Sequence, residues 1–159
     1  MKTAPIFKCI DLALPSIRKW KQEGLTVAFT NGCFDLLHKG HVDYLSKSSA
    51  LADKLIIGLN SDESVKRLKG IGRPIQSEIS RGSILAALRS VSAVIIFDEE
   101  IPLRMIKMIR PDVIIKGGDY KEVEMIGRTY VHSYGGKAII VPFEKGYSTS
   151  GIIEKIKNF

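Results

Sequence analysis

Thr26-Val27-Ala28-Phe29-Thr30-Asn31-Gly32-Cys33-Phe34-Asp35-Leu36-Leu37-His38-Lys39-Gly40-His41 is the stretch from which the fold of this 159-residue chain is read. Thr26–Thr30 is apolar or β-branched throughout, with no in-out alternation, as a strand covered on both faces must be. A glycine-bearing loop follows. Behind it, Gly40–Asp53 has helical periodicity, opening at about His41 with Val42, Leu45, Ser49 and Ala52 on one face. A buried strand, a tight loop and an amphipathic helix make the first half of a β-α-β unit.

The pattern recurs outward from this point. Leu55–Asn60, Ala93–Phe97, Val113–Lys116 and Ala138–Pro142 read as further buried strands. Ile101–Arg110 carries Leu103, Ile106 and Ile109 or Arg110 on one stripe. Asp11–Glu23 reads as a helix with Pro15 near its first turn and Gly24 as its stop. Repeated β-α-β units imply an α/β fold, a Rossmann-like doubly wound sheet of five parallel strands with right-handed crossovers. Residues 1–24 form an N-terminal helical segment, and the whole of 1–159 is expected to be one domain. Ligands of such sheets sit at the carboxyl ends of the strands, so chemistry is sought just after each one.

Composition narrows the classes. Forty-five per cent of the residues are apolar, which supports a packed core and excludes disorder. Lys and Arg number 24 against 17 Asp and Glu, a surplus of +7 that points to an anionic partner. No apolar run reaches a membrane span, and Met1–Pro5 leads into no signal peptide, so a cytoplasmic protein without a membrane partner is expected. Cys9 and Cys33 form no CxxC pair and read as reduced thiols, and three histidines without an HExxH pattern imply no bound structural metal. Neither a Walker phosphate loop nor a GxGxxG fingerprint is present; Gly70-Ile71-Gly72 is a turn.

The loops hold the candidate site. Gly32 and Gly40 allow close backbone approach, while a helix start offers free N–H groups to an anion. His38 and His41 are spaced to bracket one small volume beside those groups. Ser148-Thr149-Ser150 precede a helix over Ile152–Ile156, and three hydroxyls exceed what one N-cap needs. They read as a second anion cradle. Lys116, at a strand end before Gly117 and Gly118, can reach into the crevice. Lys66, Arg67, Lys69 and Arg73 cluster after the second strand, with Arg67 and Arg73 best suited to grip phosphate in a fork.

Taken together, these loops resemble the nucleotidyltransferase superfamily marked by a His-x-Gly-His element and a late Ser-Thr-rich helix start. Thr30–His41, Asn60–Gly70, Arg73-Pro74-Ile75 and Pro111–Tyr120 are similar to its ADP-heptose-forming adenylyltransferase branch. The likeness runs from about Gly24 to the C-terminus. It implies transfer of AMP from ATP to a sugar 1-phosphate, D-glycero-β-D-manno-heptose 1-phosphate, in lipopolysaccharide inner-core precursor synthesis. It also implies that His38 and His41 hold the triphosphate and stabilise the pentacoordinate α-phosphorus, with Lys116 as a further phosphate ligand. Asn31, Gly32, Cys33, Phe34, Asp35, Lys39 and Gly40 would line the nucleotide and phosphates, together with Gly117, Asp119, Ser148, Thr149 and Ser150. Asp35 would orient Lys39, a ligand hydroxyl or the loop itself. Asn60, Arg67, Lys69 and Arg73 would face the acceptor. Mg²⁺ would be bound mainly through the nucleotide phosphates. A homodimer is implied as well.

Some positions depart from that branch. Ser150 stands where a threonine is usual, Ser80 replaces an acidic residue before Arg81, and Arg128-Thr129-Tyr130 is less acidic. The branch often carries a fused sugar kinase, but only about two dozen residues precede the first strand here, so a separate kinase is expected. A cytidylyltransferase acting on glycerol 3-phosphate is the nearest alternative. Its usual Arg-Thr-Glu-Gly segment is replaced by Pro142–Tyr147. A nucleic-acid-binding module would interleave aromatics with cations, whereas the 5 Tyr and 6 Phe are scattered, so no nucleic-acid partner is expected.

Overall fold

A computed structural model describes residues 3–118, 124–142 and 146–159. The elements run β1 (Ile6–Phe7), α1 (Ile10–Gln22), β2 (Val27–Gly32), α2 (Lys39–Ser49), β3 (Lys54–Asn60), α3 (Asp62–Lys69) and α4 (Glu78–Ala86). They continue through β4 (Ala93–Phe97), α5 (Leu103–Ile109), β5 (Val113–Gly117), α6 (Arg128–His132), β6 (Lys137–Val141) and α7 (Thr149–Lys157). The strands pair in the order β1-β4-β3-β2-β5-β6, every pair parallel. The α/β class and the parallel doubly wound sheet are therefore as read from the periodicity.

Strand alternation divides the core into two layers. Phe29, Ile56, Ile95 and Ile114 meet α1, α5 and α6 through Ile17, Met105, Ile106 and Val131. Ala28, Ile57, Val94 and Ile115 meet α2 and α4 through Leu45, Leu85 and Ala86 on the other face. Helices on both faces explain why the strands show no polar side.

Several expectations need correction. The sheet has six strands, not five: β1 pairs Ile6 with Val94 and Phe7 with Ile95 at one edge, and two residues are too short to show a period. The first 24 residues thus hold an edge strand as well as a helix. α2 starts at Lys39 rather than His41, and its inward face is Gly40, Tyr44, Leu45 and Ser48. Val42 is 41% exposed, because the helix starts two residues earlier than expected and its inward face begins at Gly40. The inward residues of α5 are Met105, Ile106 and Ile109, without Leu103. α7 begins three residues before the expected Ile152, because Ser148 caps it by accepting a hydrogen bond from Gly151 N–H at 3.0 Å. Gly24 does end the first helical segment, at φ +77.

β2 is the central strand. The chain winds from it through β3 to β4, then crosses back to place β5 on its other side. The carboxyl ends of β2 and β5 consequently diverge, opening a crevice at the topological switch.

Candidate active site

A cavity of about 650 Å³ lies in that crevice. Its walls come from Asn31 and Gly32 at the end of β2, Cys33 and Phe34 just after it, Asn60 at the end of β3, Lys116 and Gly117 at the end of β5, and the starts of α2 and α7. Of the residues picked out from sequence, Asp35, His38, Gly40, His41, Lys69, Arg73, Ser148, Thr149 and Ser150 also border it. Arg67 and Lys39 are not in its lining, and Asp119 lies outside the described residues.

The histidines form its most distinctive surface. His38 precedes α2 in extended conformation, and one helical turn brings the ring of His41 beneath it. The rings stack with centroids 3.9 Å apart and an interplanar angle of 19°. Phe34 adopts φ +46, a left-handed conformation uncommon for an aromatic residue, and its ring stands 5.2 Å from His41. Neither histidine Nδ1 finds a partner among the described residues. Burial lowers the pKa of both rings; for His41 it falls to about 4, with His38 adding to the effect and a hydrogen bond to the Leu36 carbonyl opposing it. Both rings are therefore neutral near pH 7, ready to become more basic beside an added anion.

That lowered pKa has a measurable sign. Between pH 6.5 and about 4 the unfolded chain binds a proton at residue 41 that the folded chain refuses. Stability should fall as pH drops through this window, and His41→Ala should flatten the slope of melting temperature against pH. An unchanged slope in the variant would show that the ring is not held neutral.

Gly40 makes the stacking possible. A Cβ at this position would lie 3.0 Å from Tyr147 Cβ and 3.1 Å from His38 Nδ1. Gly40→Ala is accordingly expected to keep the fold, since alanine favours helix, yet displace His38 and cut turnover about tenfold or more. Melting curves alongside initial rates check both halves.

The start of α7 borders the cavity beside the histidines. Ser148 is occupied as its cap, Thr149 Oγ1 donates to Leu36 O at 3.5 Å, and Ser150 is exposed beside the cavity. The Leu36 carbonyl thus serves both His41 and Thr149, joining the first loop to the last. Tyr147, not among the residues expected from sequence, stacks toward His38 at 6.4 Å and lies 5.2 Å from Lys39 Nζ. Its place beside the hydroxyl run was the available signal.

The charged groups separate by partner. Lys39 pairs with Asp43 at 2.6 Å, so Asp35 does not orient it. Arg67 is turned to Asp98, 3.1 Å from its carboxylate. Lys116 and Lys69 face the cavity; burial, then Lys69, lowers the pKa of Lys116, while Cys33 opposes the shift. Cys33 is pushed up by burial against the pull of Lys69, Arg81 and Arg73, so its thiol is protonated and is no nucleophile. Asn60 is buried and donates its amide to Ser64 Oγ at 2.9 Å.

Asp35 is buried too, accepting from Arg73 Nε at 2.5 Å, Ile75 N at 2.8 Å and Gln76 N at 2.9 Å. Arg81, 1% exposed, was visible in sequence only as a family position. It donates to the carbonyls of Cys33, Asn60 and Gln76 and to Asp62. These two side chains tie the loops after β2 and β3 into one frame.

Apolar side chains share the lining, among them Phe29, Ile106, Ile114 and Met125. Among the described residues no three His, Cys, Asp or Glu side chains converge as a metal cage. The cations and hydroxyls of the lining, Lys69, Arg73, Lys116 and Ser148–Ser150, suit phosphate, while Asp35, Glu100 and Glu124 also border the cavity. No helix among the described residues is long and apolar enough to cross a membrane.

Comparison with known proteins matches this architecture. Residues 29–155 match the sequence model of the cytidylyltransferase-like family. The bifunctional protein HldE of Geotalea uraniireducens is 50% identical over 150 residues, covering 94% of this chain and 31% of that protein. HldE of Syntrophotalea carbinolica is 52% identical over 136 residues, 86% of this chain and 28% of that protein. The chain therefore spans less than a third of the length of these curated relatives. Among solved structures, the lipopolysaccharide core biosynthesis protein of Thermoplasma volcanium superposes with a TM-score of 0.64 at 29% identity. That likeness covers 79% of this chain and all of the other.

Proposed function

The chain belongs to the cytidylyltransferase-like family of nucleotidyltransferases, and on that premise we propose that it transfers AMP from ATP to D-glycero-β-D-manno-heptose 1-phosphate, releasing pyrophosphate. The observation that carries this reading is the stacked His38–His41 pair, its two Nδ1 atoms without partners among the described residues, bordering one cavity together with the hydroxyls at the start of α7. The heptose assignment is supported by the loop sequences from Asn60 to Ile75 and by the relatives just described.

A phosphate oxygen of the sugar attacks the α-phosphorus in line. A new P–O bond forms as the bond from the α-phosphorus to the bridging oxygen breaks, and pyrophosphate leaves with the electron pair. The acceptor is already ionised near neutral pH, so no protein nucleophile or strong base is required. The chain's work is positioning and neutralising charge. His38 and His41 lie along the triphosphate and stabilise the crowded α-phosphorus. Ser150 and the N–H groups opening α7 receive the β- and γ-phosphates, and Lys116 supplies a further cation. Mg²⁺, when bound, would neutralise phosphate charge and be carried by the nucleotide, since among the described residues no group of three carboxylates, His or Cys could hold it. The apolar side chains of the lining, Phe29, Ile106, Ile114 and Met125, receive the less charged portions of the reactants. Homodimer formation belongs to the same reading.

The test is pyrophosphate release measured for ATP, CTP, GTP and UTP against a panel of sugar and polyol phosphates. Turnover with ATP and the heptose 1-phosphate is expected. Turnover confined to CTP with glycerol 3-phosphate would overturn the assignment.

A further inference from the structure

Arg73 is held at the cavity through its Nε. Its Nε donates to Asp35 at 2.5 Å, and among the described residues no other side-chain partner is recorded for the guanidinium. The fork formed by its two terminal nitrogens is therefore left for a ligand. The Asp35 carboxylate is itself fixed by the N–H groups of Ile75 and Gln76, its side chain wholly removed from solvent while that of Arg73 keeps 17% exposure. A carboxylate anchored in this way sets the direction of the guanidinium as well as its charge. Burial raises the pKa of Asp35, but the Gln76 and Ile75 N–H groups and Arg73 outweigh it and lower the net value, so the anchor stays ionised.

The location narrows the ligand. Arg73 and Ser150 border the main cavity together, and they also border a neighbouring groove with Ile153 and Glu154 of α7. Arg73 thus stands beside the start of α7, at the hydroxyl end of the site. Gly70 and Gly72, at φ +87 and +86, make the turn that delivers it there.

We propose that Asp35 is a positioning residue that aims the Arg73 guanidinium at the β- and γ-phosphates, making Arg73 a clamp on the departing pyrophosphate. This rests on the nucleotidyl-transfer reading of the site but not on the identity of the acceptor. As the bond to the α-phosphorus breaks, negative charge grows on the β-phosphate oxygen, and a guanidinium fork already in place stabilises that charge without reorganising.

Binding measured by calorimetry tests it with two probes, inorganic pyrophosphate and AMP. Arg73→Gln should weaken pyrophosphate about tenfold or more and leave AMP unchanged, because AMP lacks the two outer phosphates. Asp35→Asn should produce the same selective loss, and the double variant should be no worse than the weaker-binding single variant. Arg73→Lys should recover only part of the affinity, since an ammonium cannot reproduce the fork. If Asp35→Asn fails to fold, the Arg73 variants carry the test. Pyrophosphate affinity unchanged in Arg73→Gln, or equal losses for both probes, would overturn the proposal. Intact selective binding in a protein that turns over no heptose phosphate would instead overturn the acceptor assignment and leave the clamp standing.

Discussion

His41→Ala is expected to lower turnover about a hundredfold or more while the protein remains folded. Removing one donor that serves a developing phosphoryl charge costs on the order of 3 kcal/mol of transition-state stabilisation. The ring of His41 is placed for that service: it stacks on His38 at 3.9 Å, is backed by Phe34 at 5.2 Å, and is pinned at the Leu36 carbonyl. Its loss also removes the support that orients His38, so the effect should exceed that of one isolated hydrogen bond. Because the ring borders a cavity instead of filling the core, the melting temperature should change little. Single-turnover measurements of pyrophosphate release, with a melting curve on the same preparation, check both statements. A folded variant with normal release would remove His41 from the mechanism.

Arg81→Met should act mainly on stability, lowering it by about 3–5 kcal/mol. The guanidinium is buried within the loop frame, with Nη1 at 2.6 Å from the Cys33 carbonyl and 2.8 Å from the Asn60 carbonyl. Nε reaches Gln76 O at 3.0 Å, and Nη2 reaches Asp62 Oδ1 at 2.7 Å. Methionine matches much of the length but offers no donor, stranding those carbonyl oxygens away from water. Even lysine cannot span them, because a point ammonium lacks the planar spread. Urea denaturation should show the loss, and the melting temperature should fall by roughly 10 °C for a chain of this size. Since the Cys33 carbonyl belongs to the loop that carries the histidines, the remaining folded fraction should also turn over more slowly. Wild-type stability in Arg81→Met would show that the frame does not depend on this residue.

Much of the architecture is legible in the amino-acid sequence. Continuous apolar runs such as Leu55–Asn60 require cover on both faces, and the helical stretches between them supply it, so the parallel sheet follows from local pattern. The edge strand Ile6–Phe7 was invisible because two residues have no period and are defined only by pairing with β4. Helix α4 was missed although Ser77 caps it by accepting from Ser80 N. Its inward face includes Arg81 and Gly82, which read as polar and breaking residues until their partners are known.

The surplus of +7 shows the same division at the site. Linear order is enough to bring His38, His41, Lys116 and Ser148–Ser150 to strand ends and helix starts, because a doubly wound sheet gathers those points at one edge. It cannot say which cation faces the cavity. Arg67 and Arg73 look alike in the chain, yet Arg67 turns to Asp98 and Arg73 is held at the cavity by Asp35, 38 residues earlier. Lys39 is paired by Asp43 one turn along its own helix, while Arg81 is drawn inside to satisfy backbone carbonyls. Periodicity and loop position are local properties, whereas the direction of a charged side chain depends on partners that meet only when β2, β3 and the loops behind them have packed.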